Sequence, residues 1–290
     1  MAVRRDKAIA AAERYSARGQ HDRAAKEYQA IVDGDPKDLR AWLLLAESLK
    51  KASRLDDAIE KYNHVARFYA QSRDFKKALA VYRQILTLDP RRLDVQLRCA
   101  ELFDEIGQRS DALALYERVA SAYLKAGQVR DAIGLYQQVA AAEPSQVAKR
   151  LRLAELYSRE KMLDEAIAEF QQCGDQLHQE ERFEEYVRVS ERLLYHDNKR
   201  WPELRRLTRV YLQIGQPRRA LMKLNALLQA RSTDAEGLEL LAETMHAMGK
   251  VDKAISVVIE LARGLGAGPD DEDPELRKQV TTRAVQRALG

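Results

Sequence analysis

The sequence has few of the residues that make turns. It holds 13 glycines and seven prolines among 290 residues, well below the roughly 12% that these two residues make up in an average protein. Strands need turns between them, so the shortage excludes an all-β fold and disfavours an α/β sheet. No stretch approaches the roughly 18 consecutive apolar residues of a membrane-spanning helix, and no apolar run follows Arg4 and Arg5 as it would in a secretory signal. We therefore expect a cytoplasmic protein without a membrane contact.

Residues that carry catalysis or hold metals are also scarce. The two cysteines, Cys99 and Cys173, are far apart in sequence, and none of the five histidines stands in a zinc-binding spacing. The sequence lacks a Walker phosphate loop, a Rossmann glycine motif and the GxSxG nucleophile elbow. These absences argue against an enzyme, a metal site and a bound cofactor.

Neither sign of charge dominates. The chain has 49 basic and 45 acidic residues, for a net charge of +4. A dedicated nucleic-acid binder usually shows a clear basic excess or a basic face, so nucleic acid is not an expected partner. Arginines outnumber lysines and alanines reach 42, a composition that favours a GC-rich, bacterial coding sequence.

Helix formers are abundant, and they follow a repeating pattern. A small residue is followed by an aromatic or large apolar residue four positions later and by an apolar residue three positions after that, which places all three on one helix face. We call the first position of each copy an anchor. The anchors are Ala24, Ala58, Ala78, Ala112, Ala132, Ala166, Ala220 and Ala254, with a degenerate ninth copy at Tyr186, Ser190 and Leu193.

This pattern resembles the tetratricopeptide repeat family, whose 34-residue unit is a pair of antiparallel helices with small residues at the helix crossing and aromatics beside them. The resemblance covers about residues 6–264. It implies an all-α solenoid of helix hairpins that winds as a right-handed superhelix and binds other proteins. Ten of the 12 tyrosines fall at repeat positions, so we interpret them as packing residues.

The spacing of the anchors departs from the family. It alternates between 34 and 20 residues before ending in two steps of 34, and a 20-residue step is too short for two helices. One longer helix must then serve as the second helix of one repeat and the first of the next. We expect such shared helices at 55–71, 109–126 and 163–180. They would build three-helix super-repeats at 38–91, 92–145 and 146–199 within a solenoid of residues 1–264, and make its superhelix irregular.

The last part of the chain differs in composition. Residues 265–273 have the character of an acidic, flexible linker. Residues 274–290 begin with a proline suited to a first helical turn and carry Leu276, Val280 and Ala284 on one side. We expect a helix there, which either caps the solenoid or begins a partial repeat.

The polar face of the first helices carries the candidate binding residues. An acidic stripe follows the small residue of each first helix, and a basic stripe lies two residues before it. A cluster of arginines, with Arg218 and Arg219 nearby, is the best candidate contact for an anionic group. The alternative is a solvated face of weak Glu–Arg pairs. The candidates are Glu47, Glu101, Glu155 and Glu243 in the acidic stripe, Arg98, Arg118, Arg152 and Arg206 in the basic stripe, Arg205 and Arg209 in the cluster, and Trp201 at a helix start.

Some members of the family hold the C-terminal carboxylate of a chaperone with a Lys/Asn clamp. Here Asn63 and Arg67 do not rebuild that clamp by themselves, and the equivalent first-helix positions hold Leu43, Leu97 and Leu151. A chaperone adaptor is therefore disfavoured. Those leucines instead offer apolar contact area in a groove.

These observations predict a non-enzymatic scaffold or adaptor that binds a peptide, a helix or a folded partner, in a bacterial multiprotein assembly. The resemblance allows a more specific role, as a regulatory adaptor of a motility, pilus, secretion or polarity system that in some cases reads a small GTPase. The arginine face allows a different class, a regulator that binds nucleic acid or another anionic ligand. Self-association through the solenoid ends is a further possibility.

Overall fold

The computed structural model describes residues 2–263 together with Gln279 and Thr282, and this part of the chain is helical throughout. It forms two compact units, Met1–Val139 and Ala140–Gly290. The fifteen helices are α1 (Ala2–Ala17), α2 (His21–Gly34), α3 (Leu39–Lys51), α4 (Leu55–Gln71), α5 (Phe75–Leu88), α6 (Leu93–Glu105), α7 (Arg109–Lys125), α8 (Val129–Ala142), α9 (Val147–Arg159), α10 (Leu163–Gln179), α11 (Phe183–His196), α12 (Trp201–Gln213), α13 (Pro217–Ala230), α14 (Ala235–Ala247) and α15 (Val251–Arg263).

Within each unit every helix packs on the next one along the chain. In the first unit α1 packs on α2 and the series continues to α7. In the second unit the series runs from α9 to α15, and α12 also contacts α14. Because these helices contact near neighbours in sequence, the described chain is an all-α solenoid. None of the helices in residues 2–263 is long and apolar enough to cross a membrane.

The three shared helices are present. Residues 55–71, 109–125 and 163–179 each form one uninterrupted helix of 17 residues, so that prediction is confirmed to within one residue. Helix α4 packs on both α3 and α5, and α10 packs on both α9 and α11. A shared helix is possible because two small residues lie eight positions apart on it. In α4 these are Ala58 and Ala66, both fully buried on either side of Tyr62.

The degenerate repeat exchanges a large side chain for small ones. Tyr186 stands at an anchor and is fully buried. Its ring has room because Ser190 replaces the aromatic residue four positions later and Gly174 lies opposite. A Cβ on Gly174 would sit 3.7 Å from the Tyr186 ring, which is ordinary contact. The volume at this crossing is therefore kept while its distribution changes.

A left-handed turn closes every hairpin. The described residues contain nine with positive φ, each five positions before an anchor. The residue after each one donates its N–H to the carbonyl five positions earlier, as Arg54 does to Leu49 at 2.9 Å, which is the Schellman ending of a helix. Five of the nine are glycines, which the sequence marks as turns, and four are not. They are Gly19, Gly107, Gly127, Gly215 and Gly249, and Ser53, Arg73, Lys161 and Glu181.

A different turn joins one super-repeat to the next. Asp35, Asp89 and Asp197 follow the last helix of a hairpin, and each carboxylate accepts the N–H two residues later at 3.1, 3.1 and 3.2 Å. The three residues stand at the same register of the sequence, 54 residues or twice that apart. The super-repeat boundaries themselves stay a prediction, and the expected linker 265–273 and helix 274–290 lie outside the described residues.

Candidate binding surface

A groove of about 950 Å³ in the second unit gathers the largest group of charged side chains. It lies between α10, the turn before α12 and α12 itself, and we call it the α10–α12 groove. Helix α10 contributes Gln171 and His178; the turn contributes Asp197, Lys199 and Arg200; α12 contributes Pro202, Glu203, Arg206, Arg209, Val210 and Gln213.

The floor of the α10–α12 groove is a buried polar network around Glu203, which is 5% exposed. Its carboxylate accepts hydrogen bonds from the Tyr186 hydroxyl at 2.8 Å, from the Ser190 hydroxyl and from Arg206 Nε at 3.1 Å. Arg206 also donates to Asp175 at 2.6 Å and lies over the Tyr186 ring. Burial and the neighbouring charge of Glu203 raise the pKa of Tyr186. The guanidinium of Arg206 is therefore occupied by partners within the unit, and it fixes the groove floor.

Arg205 has a similar internal partner. It forms an ion pair with Asp234, which is fully buried and caps α14 by accepting the Gly237 N–H at 2.7 Å. Its Nε also lies 3.6 Å from Glu236. Because Asp234 needs a cation where water is excluded, Arg205 ties α12 to α14. The structure thus divides the predicted cluster of Arg205, Arg206 and Arg209, and the first two hold helices together.

The rim of the α10–α12 groove keeps its positive charge. Arg209 is half exposed and reaches Glu236 at 3.2 Å. Lys199 is exposed. Arg200 is held in place by Asp197 at 3.1 Å and by Gln171 at 2.8 Å. An incoming anionic group would meet these rim cations before it reached the saturated network below.

The first unit contains the equivalent groove, with a volume of about 270 Å³. Its lining residues stand 108 residues, or two super-repeats, before positions of the second unit: Ala70 corresponds to His178, Arg98 to Arg206, Glu101 to Arg209 and Leu102 to Val210. Arg98 pairs with Glu101 at 2.7 Å. The predicted residues Arg67, Arg98 and Glu101 therefore share one site, and the super-repeat generates a groove beside a shared helix.

The other predicted residues lie outside the lining of both grooves. Glu47 accepts hydrogen bonds from the Tyr62 hydroxyl at 2.9 Å and from Lys50 at 2.7 Å. Burial opposes its ionisation, but these partners outweigh burial and hold the pKa of Glu47 below its usual range. Glu155 lies 4.0 Å from Arg192. The rest are exposed arginines, Arg118 and Arg152, and partly buried residues, Asn63, Trp201 and Glu243, as are Leu43, Leu44, Leu97 and Leu151.

Sequence reasoning missed Lys199, Arg200, Gln171 and His178, which line the groove from the turn and from the shared helix. The signal that could have found His178 is the 108-residue register, because Arg67 at the end of α4 was already a candidate. The two thiols take no part in the grooves. Burial raises the pKa of Cys99 to about 11 and that of Cys173 to about 12. The described residues include no group of three His, Cys, Asp or Glu side chains that could hold a metal ion.

Stacked hairpins with left-handed turns and charged grooves define a helical-repeat protein. Family models described as tetratricopeptide repeat match residues 9–72, 69–123 and 123–185. Together they span more than half of the chain, which therefore belongs to the tetratricopeptide repeat family. Proteins of this family typically serve as interaction scaffolds for other proteins.

Several solved structures resemble the chain at low identity. The P58(IPK) TPR domain is 14% identical over 98% of this chain and 99% of that one, with a TM-score of 0.28. A tetratricopeptide repeat protein from Parabacteroides merdae is 12% identical over 97% and 99%, with a TM-score of 0.30. Yeast Tom70 is 15% identical over 92% and 59%, also with a TM-score of 0.30. No curated protein matches the chain.

Proposed function

We propose that this chain is a non-enzymatic scaffold that binds an acidic segment of another protein in the α10–α12 groove. The observation that carries the proposal is the arrangement of charge there: a fixed floor of paired residues below a rim of Lys199, Arg200 and Arg209. Family membership supports a protein as the partner. The groove offers shape and charge, and its carboxylates are already bound to cations of the same unit, so it recognises a ligand without reacting with it.

The arrangement of arginines favours a protein ligand over nucleic acid. A nucleic-acid surface needs several cations free to neutralise successive phosphates. Arg205 and Arg206 are instead bound to Asp234, Asp175 and Glu203. The setting, a bacterial cytoplasmic assembly such as a motility, pilus, secretion or polarity system, stays a prediction from composition and resemblance.

The test is affinity capture with three forms of the full chain. The first is the native sequence, and the second is Lys199→Glu/Arg209→Glu, which reverses the rim. The matched control is Arg152→Glu/Arg188→Glu, which reverses two exposed cations of the same unit outside the groove. Arg205→Glu is unsuitable, because it would place a carboxylate against buried Asp234 and destabilise the unit.

We expect the rim variant to lose partners that the control retains. For a purified partner its affinity should fall at least about tenfold, and the loss should shrink as salt is raised, because rim charges act largely through screened attraction. Capture of the same partners with equal affinity by all three forms would contradict the assignment of the groove. A variant that lost both its partners and its helical circular dichroism would report unfolding, so the spectra of all forms are compared first.

A further inference from the structure

Helix α15, the last full helix of the described chain, exposes a row of apolar side chains. Val251, Ile255 and Ile259 are spaced by four residues and are 49%, 43% and 45% exposed. We call this row the α15 stripe. The opposite flank of α15 packs on α14, where Val258 and Leu261 join a core cluster with Leu238. Apolar rows of this length on a helix normally face another element.

The register of Ile255 shows that such an element belongs there. Ile255 directly follows an anchor. The corresponding residue is apolar in all nine hairpins, and in each of the earlier eight, where another helix follows, it is buried or half-buried. Only at Ile255 is it exposed among the described residues. The earlier residues are Ala25, Ile59, Leu79, Leu113, Ile133, Ile167, Val187 and Leu221.

Ile259 is unusual in a second way. It stands five positions after an anchor, where all eight other hairpins carry a polar or charged side chain. Those residues are Gln29, Asn63, Arg83, Glu117, Gln137, Gln171, Glu191 and Asn225. A solvent-facing position of the repeat has therefore become apolar in the last hairpin. This change extends the apolar surface of α15 beyond what an ordinary repeat presents.

A segment of the same chain matches this surface. Residues 274–290 carry Leu276, Val280 and Ala284 with the same spacing of four. Gln279 and Thr282, described within that segment, are helical and exposed, and both lie off the apolar row. The ten residues 264–273 can span up to about 33 Å, whereas the 13 residues of α15 are about 20 Å long. The connection is therefore long enough for the segment to return along α15.

We infer that residues 274–290 dock as a helix on the α15 stripe, with Leu276, Val280 and Ala284 against Ile255 and Ile259. The segment thereby completes the last hairpin and covers an end of the solenoid that would otherwise be free to associate. A second copy of the chain is a weaker competitor, because a tethered segment acts at an effective concentration in the millimolar range.

Hydrogen exchange measured by mass spectrometry on the full chain tests this contact. Val280→Asp introduces a charge into the apolar row, and Gln279→Asp introduces the same charge next to it at an exposed position. We expect amides of α15 to exchange at least about tenfold faster in Val280→Asp, since burial of one valine contributes free energy on that scale. The Gln279→Asp variant should exchange like the native chain. Equal exchange of α15 in all three would overturn the inference.

The reciprocal variant is Ile259→Asn, which restores the residue found at this register in α13 and α4. Because Asn225 and Asn63 are compatible with their hairpins, Ile259→Asn should leave α14 and α15 folded and increase exchange in residues 274–290. Light scattering distinguishes the other occupant. Protection of α15 that appears only with a dimer mass, and vanishes on dilution, would assign the stripe to a second copy and overturn the inference.

Discussion

The four hairpin turns without glycine offer a sharp test of how this repeat is stabilised. Glu181 closes the α10–α11 turn with φ of 56°, and Gly215 closes the α12–α13 turn of the same unit with φ of 70°. The left-handed conformation costs a residue with a Cβ roughly 1–2 kcal/mol. Glycine avoids that cost but loses more backbone freedom on folding, by roughly 0.4–1 kcal/mol. We therefore expect Glu181→Gly to stabilise the protein by about 0.5–1 kcal/mol.

The exchange at Gly215 should have the opposite sign. Gly215→Ala has open space around its new Cβ, with nothing within 4 Å, so its cost comes from the backbone alone. We expect a loss of about 1 kcal/mol. Glu181 is a clean site because the ion pairs of its turn join Arg182 to Glu180 and Glu185. Glu181→Ala is the control that removes the charge and keeps the Cβ, and it should leave stability nearly unchanged.

The assay is urea unfolding followed by circular dichroism at 222 nm, with thermal melts as a second measure. A change of 1 kcal/mol should move the melting temperature by about 2–4 °C for a unit of 150 residues or more. Two results would refute the reasoning. One is a Glu181→Gly protein no more stable than the Glu181→Ala protein. The other is a Gly215→Ala protein as stable as the native chain.

Further predictions concern helix glycines and thiols. Gly134→Ala, in the interior of α8 with nothing within 4 Å, should stabilise the first unit by about 1 kcal/mol. Gly237→Ala should destabilise the second unit in the same urea assay, because its Cβ would lie 2.8 Å from a leucine side chain of α13. Cys99 and Cys173 should resist a thiol reagent at pH 8 in the folded chain and react after urea unfolding. Their raised pKa values contribute stability that is fully present below pH 9 and is lost as pH rises towards about 11 for Cys99 and about 12 for Cys173; retained stability across that window would contradict the burial argument.

The repeat was predictable from sequence because its requirements are local. A small residue at each helix crossing and an aromatic one turn later are needed in every hairpin, so their spacing of 34 and 20 residues reveals the shared helices α4, α7 and α10 directly. The turns were predictable in part. Glycine marks five of them, but Lys161 and Glu181 adopt the same left-handed conformation, since the hydrogen bonds of the helix ending hold the backbone there whatever the side chain.

The sequence by itself determined the helices, their order and the positions that pack, because a periodic pattern constrains neighbouring turns of one helix and the hairpin that follows. Only the tertiary structure decided what the charged residues do. Arg205 and Asp234 are 29 residues apart, and Arg206 and Asp175 are 31 apart. A stripe of arginines along one helix looks the same whether a carboxylate from the next helix reaches it or not. Packing brings those carboxylates within hydrogen-bonding distance, and it leaves the charge for a partner on the groove rim.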